Sequence, residues 1–216
     1  MEDLMKELEE LKGRVEKLER PYTIHFAKTK EQAIIPTRRT EDAGYDMYAC
    51  FDEDILIIPP HEMRLVPTGI ATCFDHKLVF KLSERSSTGT KQMAQRCGVI
   101  DSGYRGEIQA PISNLNNVPI IISKLFSQDI DGEFIPLTID ELSNEITVKE
   151  KKGTTHIGAD RYLELTKNAI VYPYNKAVTQ GILYYIPETV SDEIPYETLK
   201  NIASERGTGW VGSSKK

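Results

Sequence analysis

The sequence predicts a mostly β domain, a sandwich or barrel of many short strands, preceded by a helical stem and interrupted by an inserted subdomain of mixed structure. Three observations carry this reading. From residue 22 onward, short runs of β-branched and aromatic residues alternate with turn chemistry. Apolar residues repeat in heptads over the first 20 positions, and the texture changes again between residues 123 and 166.

In the stem, Met1, Leu4, Leu8, Leu11, Val15 and Leu18 follow alternating steps of three and four, with charged residues at most other positions. Pro21 cannot continue a helix and disfavours helical dihedrals at Arg20, so the stem is expected to span residues 1–20. Fewer than three heptads make a marginal helix alone, so the expected role is oligomerisation, with neighbouring chains supplying the packing partner. A solitary amphipathic helix lying on its own domain is the alternative.

The β domain is expected over residues 21–202, with strands at Ile55 to Ile58, Leu78 to Leu82, Ile120 to Ile122 and Ile182 to Ile186. Within it, residues 123–166 set Leu137, Ile139, Leu142 and Ile146 among polar residues and end in a charged run from Lys149 to Lys152. The tail, residues 203–216, has glycines and serines with little to bury and is expected to be a mobile lid.

The 27 basic and 33 acidic residues give a net charge of -6, which offers no broad cationic footprint for nucleic acid. No apolar stretch is long enough to span a membrane, and the amino terminus lacks the basic and apolar regions of a secretory signal, so a cytoplasmic product is expected. Cys50, Cys73 and Cys97 form no CxxC pair and are read as buried, reduced thiols. The four histidines are scattered without metal-ligand spacing, so no protein metal site is expected.

Four segments concentrate chemistry. Arg85-Ser86-Ser87 offers a cationic fork, two hydroxyls and backbone amides suited to phosphate oxygens, or a plain polar turn. Asp101 follows two β-branched residues and is expected where a buried strand opens into a turn. There its carboxylate either orients and deprotonates a water or caps an Asx-turn. Tyr104, three residues on, is either a flat platform for a sugar or base or a core aromatic. In the tail, Arg206 can pair with phosphate and Trp210 can stack on a base while the glycines wrap the ligand. Ala43-Gly44-Tyr45-Asp46 is the fourth segment. A P-loop and a Rossmann fingerprint are both missing.

In this order the segments resemble the trimeric dUTPase family: AGYDMYA the first motif, ERSSTGTK the second, GVIDSGYRGEI the third, AVTQGIL the fourth and RGTGWVGSS the fifth. The likeness is to bacteriophage members carrying an insertion between the third and fourth motifs. It implies a jelly-roll barrel, a homotrimer with three shared active sites, and cleavage of dUTP to dUMP and pyrophosphate with Mg²⁺ held by the triphosphate and waters. By the same resemblance, Asp101 activates the attacking water and Asp46 holds Arg85. Arg85, Ser86, Ser87 and Gln180 grip phosphates, Tyr104 packs under the deoxyribose, and backbone groups from Gly98 to Tyr104 read the uracil. Arg206, Ser213 and Ser214 close on the outer phosphates, and Trp210 takes over the base stacking.

The sequence departs from the family pattern at Glu84 and Ser87 in the second motif, Gln95 after it, Ala177 in the fourth, and Trp210 and Val211 in the fifth. The rival of the same fold, dCTP deaminase, needs a proton-carrying glutamate ten residues beyond the aspartate, where this chain has Pro111, and an arginine where it has Thr90. A third reading gives residues 123–166 a protein-binding, regulatory role.

Overall fold

The computed structural model describes residues 2–19, 22–128 and 134–204. Helix α1 (Glu2–Glu19) occupies the stem. Its seam residues Leu4, Leu8, Leu11 and Val15 are 73, 48, 49 and 50 % exposed, so the described residues of the chain do not cover this stripe.

Ten strands and one short helix precede the insertion: β1 (Ile24–Lys28), β2 (Tyr45–Met47), β3 (Ile55–Ile58), β4 (Met63–Pro67), β5 (Ile70–Phe74), β6 (Leu78–Ser83), α2 (Ser86–Gly89), β7 (Met93–Gln95), β8 (Val99–Ile100), β9 (Gln109–Asn114) and β10 (Ile120–Ser123). The insertion supplies β11 (Phe126–Gln128), β12 (Phe134–Pro136), β13 (Ile146–Lys149), β14 (Thr154–Ile157) and α3 (Ala159–Lys167). The body resumes with β15 (Ile170–Pro173) and β16 (Thr179–Tyr185). The protein is thus mostly β, as expected. The last strand starts earlier than the Ile182 to Ile186 run suggests, because Thr179 and Gln180 already pair with Met47 and Asp46.

Three sheets of three or more strands organise the body, β2-β16-β6-β8, β4-β9-β7 and β14-β13-β3-β10-β15, and β1 pairs with β5 in a two-stranded sheet. The strands Ile55–Ile58 and Ile120–Ser123 are apolar without alternation, the signature of a sheet covered on both faces. Leu56, Ile58, Ile120 and Ile122 face the main core with Phe51, Phe80 and Tyr172. Ile55 and Ile121 face the other way, into a second core built with Leu142, Ile146, Val148, Ala159 and Tyr162 of the insertion. Each such side chain gains about 1.5–3 kcal/mol from burial, which is why the insertion stays on this face. It also extends the body's sheet, since β13 pairs in parallel with β3 through Val148 and Ile55. Polar latches fix that register. Thr147 donates from its backbone N–H and hydroxyl to Asp54 Oδ2 at 2.8 and 2.6 Å, and Thr154 donates to buried Glu53 at 2.6 Å.

Two expectations require correction. Only Cys50 is buried; Cys73 is partly exposed and Cys97 exposed, because Cys97 sits in the turn before β8 with a positive φ of 44°. The strand leading to Asp101 is not buried either. β8 has two residues at a sheet edge, so Ile100 packs on the core while Val99 is 62 % exposed. The chain divides after Ile186; residues 187–204 belong to a separate unit with one short helix, α4 (Tyr196–Lys200), that buries no side chain.

Candidate active site

The sheet β2-β16-β6-β8 positions the motif residues. At the end where β6 leaves the sheet, Asp46 of β2 pairs with Gln180 of β16, which pairs with Ser83 of β6. Two residues past Ser83, Arg85 turns back. Its Nε and Nη2 donate to Asp46 Oδ1 and Oδ2 at 2.8 and 3.1 Å, a bidentate fork that fixes the guanidinium plane. Its Nη1 donates to the Ala177 carbonyl at 3.1 Å and the Ser87 hydroxyl at 3.2 Å. The Ala177 carbonyl also accepts from buried Tyr172 at 2.7 Å, and burial raises the pKa of that phenol. The fourth-motif alanine thus acts through its backbone.

Around this fork lies a cleft of about 340 Å³ lined by Arg39, Asp42, Gly44, Asp46, Arg85, Ser86, Ser87 and Gln180. Gly44 lets Gln180 approach closely, since a Cβ there would lie 2.5 Å from Gln180 Oε1 and would have to displace the end of that side chain. Gln180 in turn donates to the Glu84 carbonyl at 2.7 Å, and the Glu84 carboxylate accepts the Gln95 N–H at 3.1 Å. Glu84 therefore ties the loop to β16 and β7.

The Gly98 to Tyr104 segment begins beside Leu82, near the end of β6 that carries the fork, and runs back along the strand toward its start. Gly98 must be glycine, because a Cβ there would sit 2.4 Å from the Leu82 carbonyl oxygen. The turn is closed by the Tyr104 N–H donating to the backbone carbonyl of Asp101 at 3.0 Å. No hydrogen bond or ion pair engages the Asp101 carboxylate among the described residues, so it is exposed rather than spent as a turn cap. Tyr104 is 46 % exposed, with its hydroxyl donating to the Glu107 carbonyl at 3.0 Å, so it is not part of this chain's core.

The structure brings Asp46, Arg85, Ser86, Ser87 and Gln180 together with Gly98 close by against Leu82, and sets Asp101 and Tyr104 further back along β6. Ile100 pairs with Phe80, so Asp101 is level with Val79, six residues before Arg85. The strand from Val79 to Ser83, at ~3.3 Å per residue, sets Asp101 on the order of 13 Å along β6 from the end that carries the fork. The predicted residues Arg206, Trp210, Ser213 and Ser214 lie outside the described residues. Sequence reasoning missed Arg39 and Asp42 in the lining of the cleft; the adjacent Arg38-Arg39 pair was the available signal.

No cluster of three or more His, Cys, Asp or Glu side chains able to hold a metal occurs among the described residues. Asp42 and Asp46, the carboxylates of the cleft, are both committed to arginines. That donor set fits Mg²⁺ arriving on phosphate oxygens and water, with the Ser86 and Ser87 hydroxyls alongside, rather than an ion caged by protein. Pro111, at the position where a deaminase needs its acid, offers only a carbonyl, which accepts from the Arg96 N–H at 2.9 Å and Gln95 Nε2 at 3.1 Å.

Comparison with known proteins identifies the family. A family model described as dUTPase matches residues 30–125, the stretch holding the first three motifs. A deoxyuridine 5'-triphosphate nucleotidohydrolase of Leptospira interrogans is 36 % identical over 103 residues, covering 46 % of this chain and 70 % of its own length. The enzyme of that name from Mycolicibacterium vanbaalenii is 32 % identical over 109 residues, covering 48 % and 69 %. Among solved structures, the Staphylococcus bacteriophage 80alpha dUTPase with dUpNHpp aligns over 90 % of this chain and 99 % of its own, at a TM-score of 0.55 and 22 % identity. The phage phi11 dUTPase of S. aureus, whose structure visualises a species-specific insert, aligns over 80 % and 96 % at a TM-score of 0.51 and 22 % identity, a likeness of fold. With the bacterial relative 36 % identical and matched over more than two thirds of its length, and the family model matching residues 30–125, the chain belongs to the dUTPase family.

Proposed function

We infer that the protein hydrolyses dUTP to dUMP and pyrophosphate. The observation that carries this is the pairing of an arginine fork beside serine hydroxyls with a separate hairpin whose aspartate has no partner in the described chain. In the reaction a water oxygen bonds to the α-phosphorus, the bond from that phosphorus to the bridging oxygen breaks, and pyrophosphate leaves. Asp101 accepts the water's proton. Asp46 is a positioning residue that presents Arg85, and Arg85, Ser86, Ser87 and Gln180 hold phosphate oxygens as charge shifts to the leaving group. Mg²⁺ carried by the triphosphate supplies further charge neutralisation. Tyr104 supports the deoxyribose, and the Gly98 to Tyr104 backbone reads the uracil edge.

The separation along β6 supports an assembly in which Asp101 of one copy serves a nucleotide held by Arg85 of another, since a general base must reach its water directly. A homotrimer closes such a ring. The stem suits it: in a parallel arrangement Glu7 of one helix meets Lys12 of the next, an attractive pair flanking the Leu4, Leu8, Leu11 and Val15 seam. The insertion primarily shields Ile55 and Ile121, and the protein-binding role expected for residues 123–166 rests on what that core leaves outside, such as Ile135 and Ile139 at 42 and 46 % exposed. No helix among the described residues is long and apolar enough to cross a membrane, and we place the activity on the free nucleotide pool of the cytoplasm.

The test is to incubate the purified protein with each deoxynucleoside triphosphate and Mg²⁺ and to identify products by base and phosphate content. dUMP and pyrophosphate from dUTP are expected. Uracil products from dCTP would favour the deaminase, and intact dUTP would reject the assignment.

A further inference from the structure

The phosphate cleft holds a second arginine fork that the motifs did not bring to it. Of the consecutive pair, Arg38 is consumed within its own loop. Its Nη1 donates to the Asp42 carbonyl at 2.9 Å, and its guanidinium carbon lies 5.2 Å from the centroid of the Tyr45 ring. Arg39 instead lines the cleft, with Nε and Nη2 donating to the Asp42 carboxylate at 2.7 and 3.0 Å. Arg85 on Asp46 has the same bidentate geometry. Asp42 and Asp46 flank Gly44, so two aspartate-held guanidinium groups border one cavity of about 340 Å³.

Donor counting separates the roles of these two forks. A guanidinium has five N–H groups. In Arg85 four are taken within the chain, two by Asp46 and one each by Ser87 and Ala177, which leaves one for a ligand. In Arg39 only the two bonds to Asp42 are formed among the described residues, so both Nη1 hydrogens and one on Nη2 remain. The two arginines and two aspartates of the cleft also cancel in charge, so a triphosphate needs every donor the cleft can turn toward it. The Arg39 side chain is 87 % exposed against 28 % for Arg85, which sets Arg39 at the outer rim and Arg85 deeper.

We propose that Arg39 is a phosphate-binding residue of this site, held ready by Asp42, and that it takes the outermost phosphates of the nucleotide. The proposal rests on the dUTP reading and adds a ligand to it. Its signature is an affinity contribution that grows with the number of phosphates, because a rim contact is out of reach of a monophosphate. The hydrogen bonds from Arg39 hold the Asp42 carboxyl below the usual carboxylate range, so the pair stays ionised at neutral pH.

The experiment is calorimetric titration of the full-length protein and its Arg39→Ala and Arg39→Lys variants with dUMP, dUDP and a non-hydrolysable imido analogue of dUTP, with Mg²⁺ present. Arg39→Ala is expected to weaken the triphosphate analogue about tenfold, dUDP less, and dUMP not at all, with Arg39→Lys intermediate because it keeps the charge and loses the fork. Equal losses for all three ligands, or no loss for the triphosphate, would overturn the proposal. Wild-type turnover of dUTP, measured alongside, separates the two readings. Turnover with an unaffected Arg39→Ala variant rejects Arg39 alone, whereas absent wild-type turnover rejects the dUTP assignment itself.

Discussion

Replacing Asp46 by asparagine removes one oxygen of the fork while keeping the side chain's shape. Four hydrogen bonds hold Arg85, and the two to Asp46 are the charged ones. Asparagine can accept from Nε or from Nη2 but presents an NH₂ group to the other, so the guanidinium loses its fixed plane. Hydrogen bonds to charged groups are worth about 1.5–3 kcal/mol, and the 28 and 35 % exposure of the two side chains lowers this to about 1–2 kcal/mol. That corresponds to a fall of about 5- to 30-fold in kcat/KM for dUTP, read by pyrophosphate release under steady-state conditions. Thermal stability should change little, and Asp46→Glu should recover part of the activity by restoring both acceptors. Asp46→Asn within twofold of wild type, or a loss of activity matched by a loss of folded protein, would refute the positioning role.

Gly98→Ala should push the Asp101 hairpin off β6, since its Cβ would meet the Leu82 carbonyl at 2.4 Å; a cost of about 2 kcal/mol, or a melting point about 4–8 °C lower, is expected by calorimetry. An unshifted melting point would show that the hairpin is not held there. Glu53, which ties the insertion to the body, has its carboxyl lowered from 4.5: burial pushes it up, but bonds from Thr154, its own backbone and Lys149 outweigh that. Because the folded value is the lower one, its stabilisation is complete above pH 4.5 and disappears as pH falls through the folded value. The melting-point difference between wild type and Glu53→Gln should therefore shrink on acidification, and a difference independent of pH would contradict the latch. Leu8→Asp with Leu11→Asp should raise the dissociation constant of the assembly at least about tenfold in sedimentation experiments, while unchanged association would remove the stem from the interface.

Local chemistry was legible in the sequence, and long-range pairing was not. The heptad seam and Pro21 marked the stem, and the runs Ile55–Ile58 and Ile120–Ile122 marked central strands. Nothing in those runs says which face each isoleucine takes, and the parallel pairing of Val148 with Ile55 joins residues 93 positions apart, beyond any periodicity. The Arg85 loop and Asp101 turn were readable from residue types. How far apart they stand along β6 depends on the Phe80 to Ile100 register, which no local pattern encodes. Val99 and Cys97 misled because apolar residues in an edge strand and its turn look the same in sequence as buried ones. Arg39 was passed over because a surface arginine gains meaning only from what lies across the cleft.

The central claim is that one nucleotide is served by Asp101 of one copy and Arg85 of another. Mixing the inactive variants Asp101→Asn and Arg85→Ala in equal amounts, with unfolding and joint refolding so that copies exchange, tests it directly. In a cyclic assembly about one quarter of the sites then join an intact Asp101 to an intact Arg85, and dUTP turnover should return to about that fraction of wild type. Mixed assemblies that form but remain as inactive as either variant alone would contradict it, and would place both residues on the same chain's site.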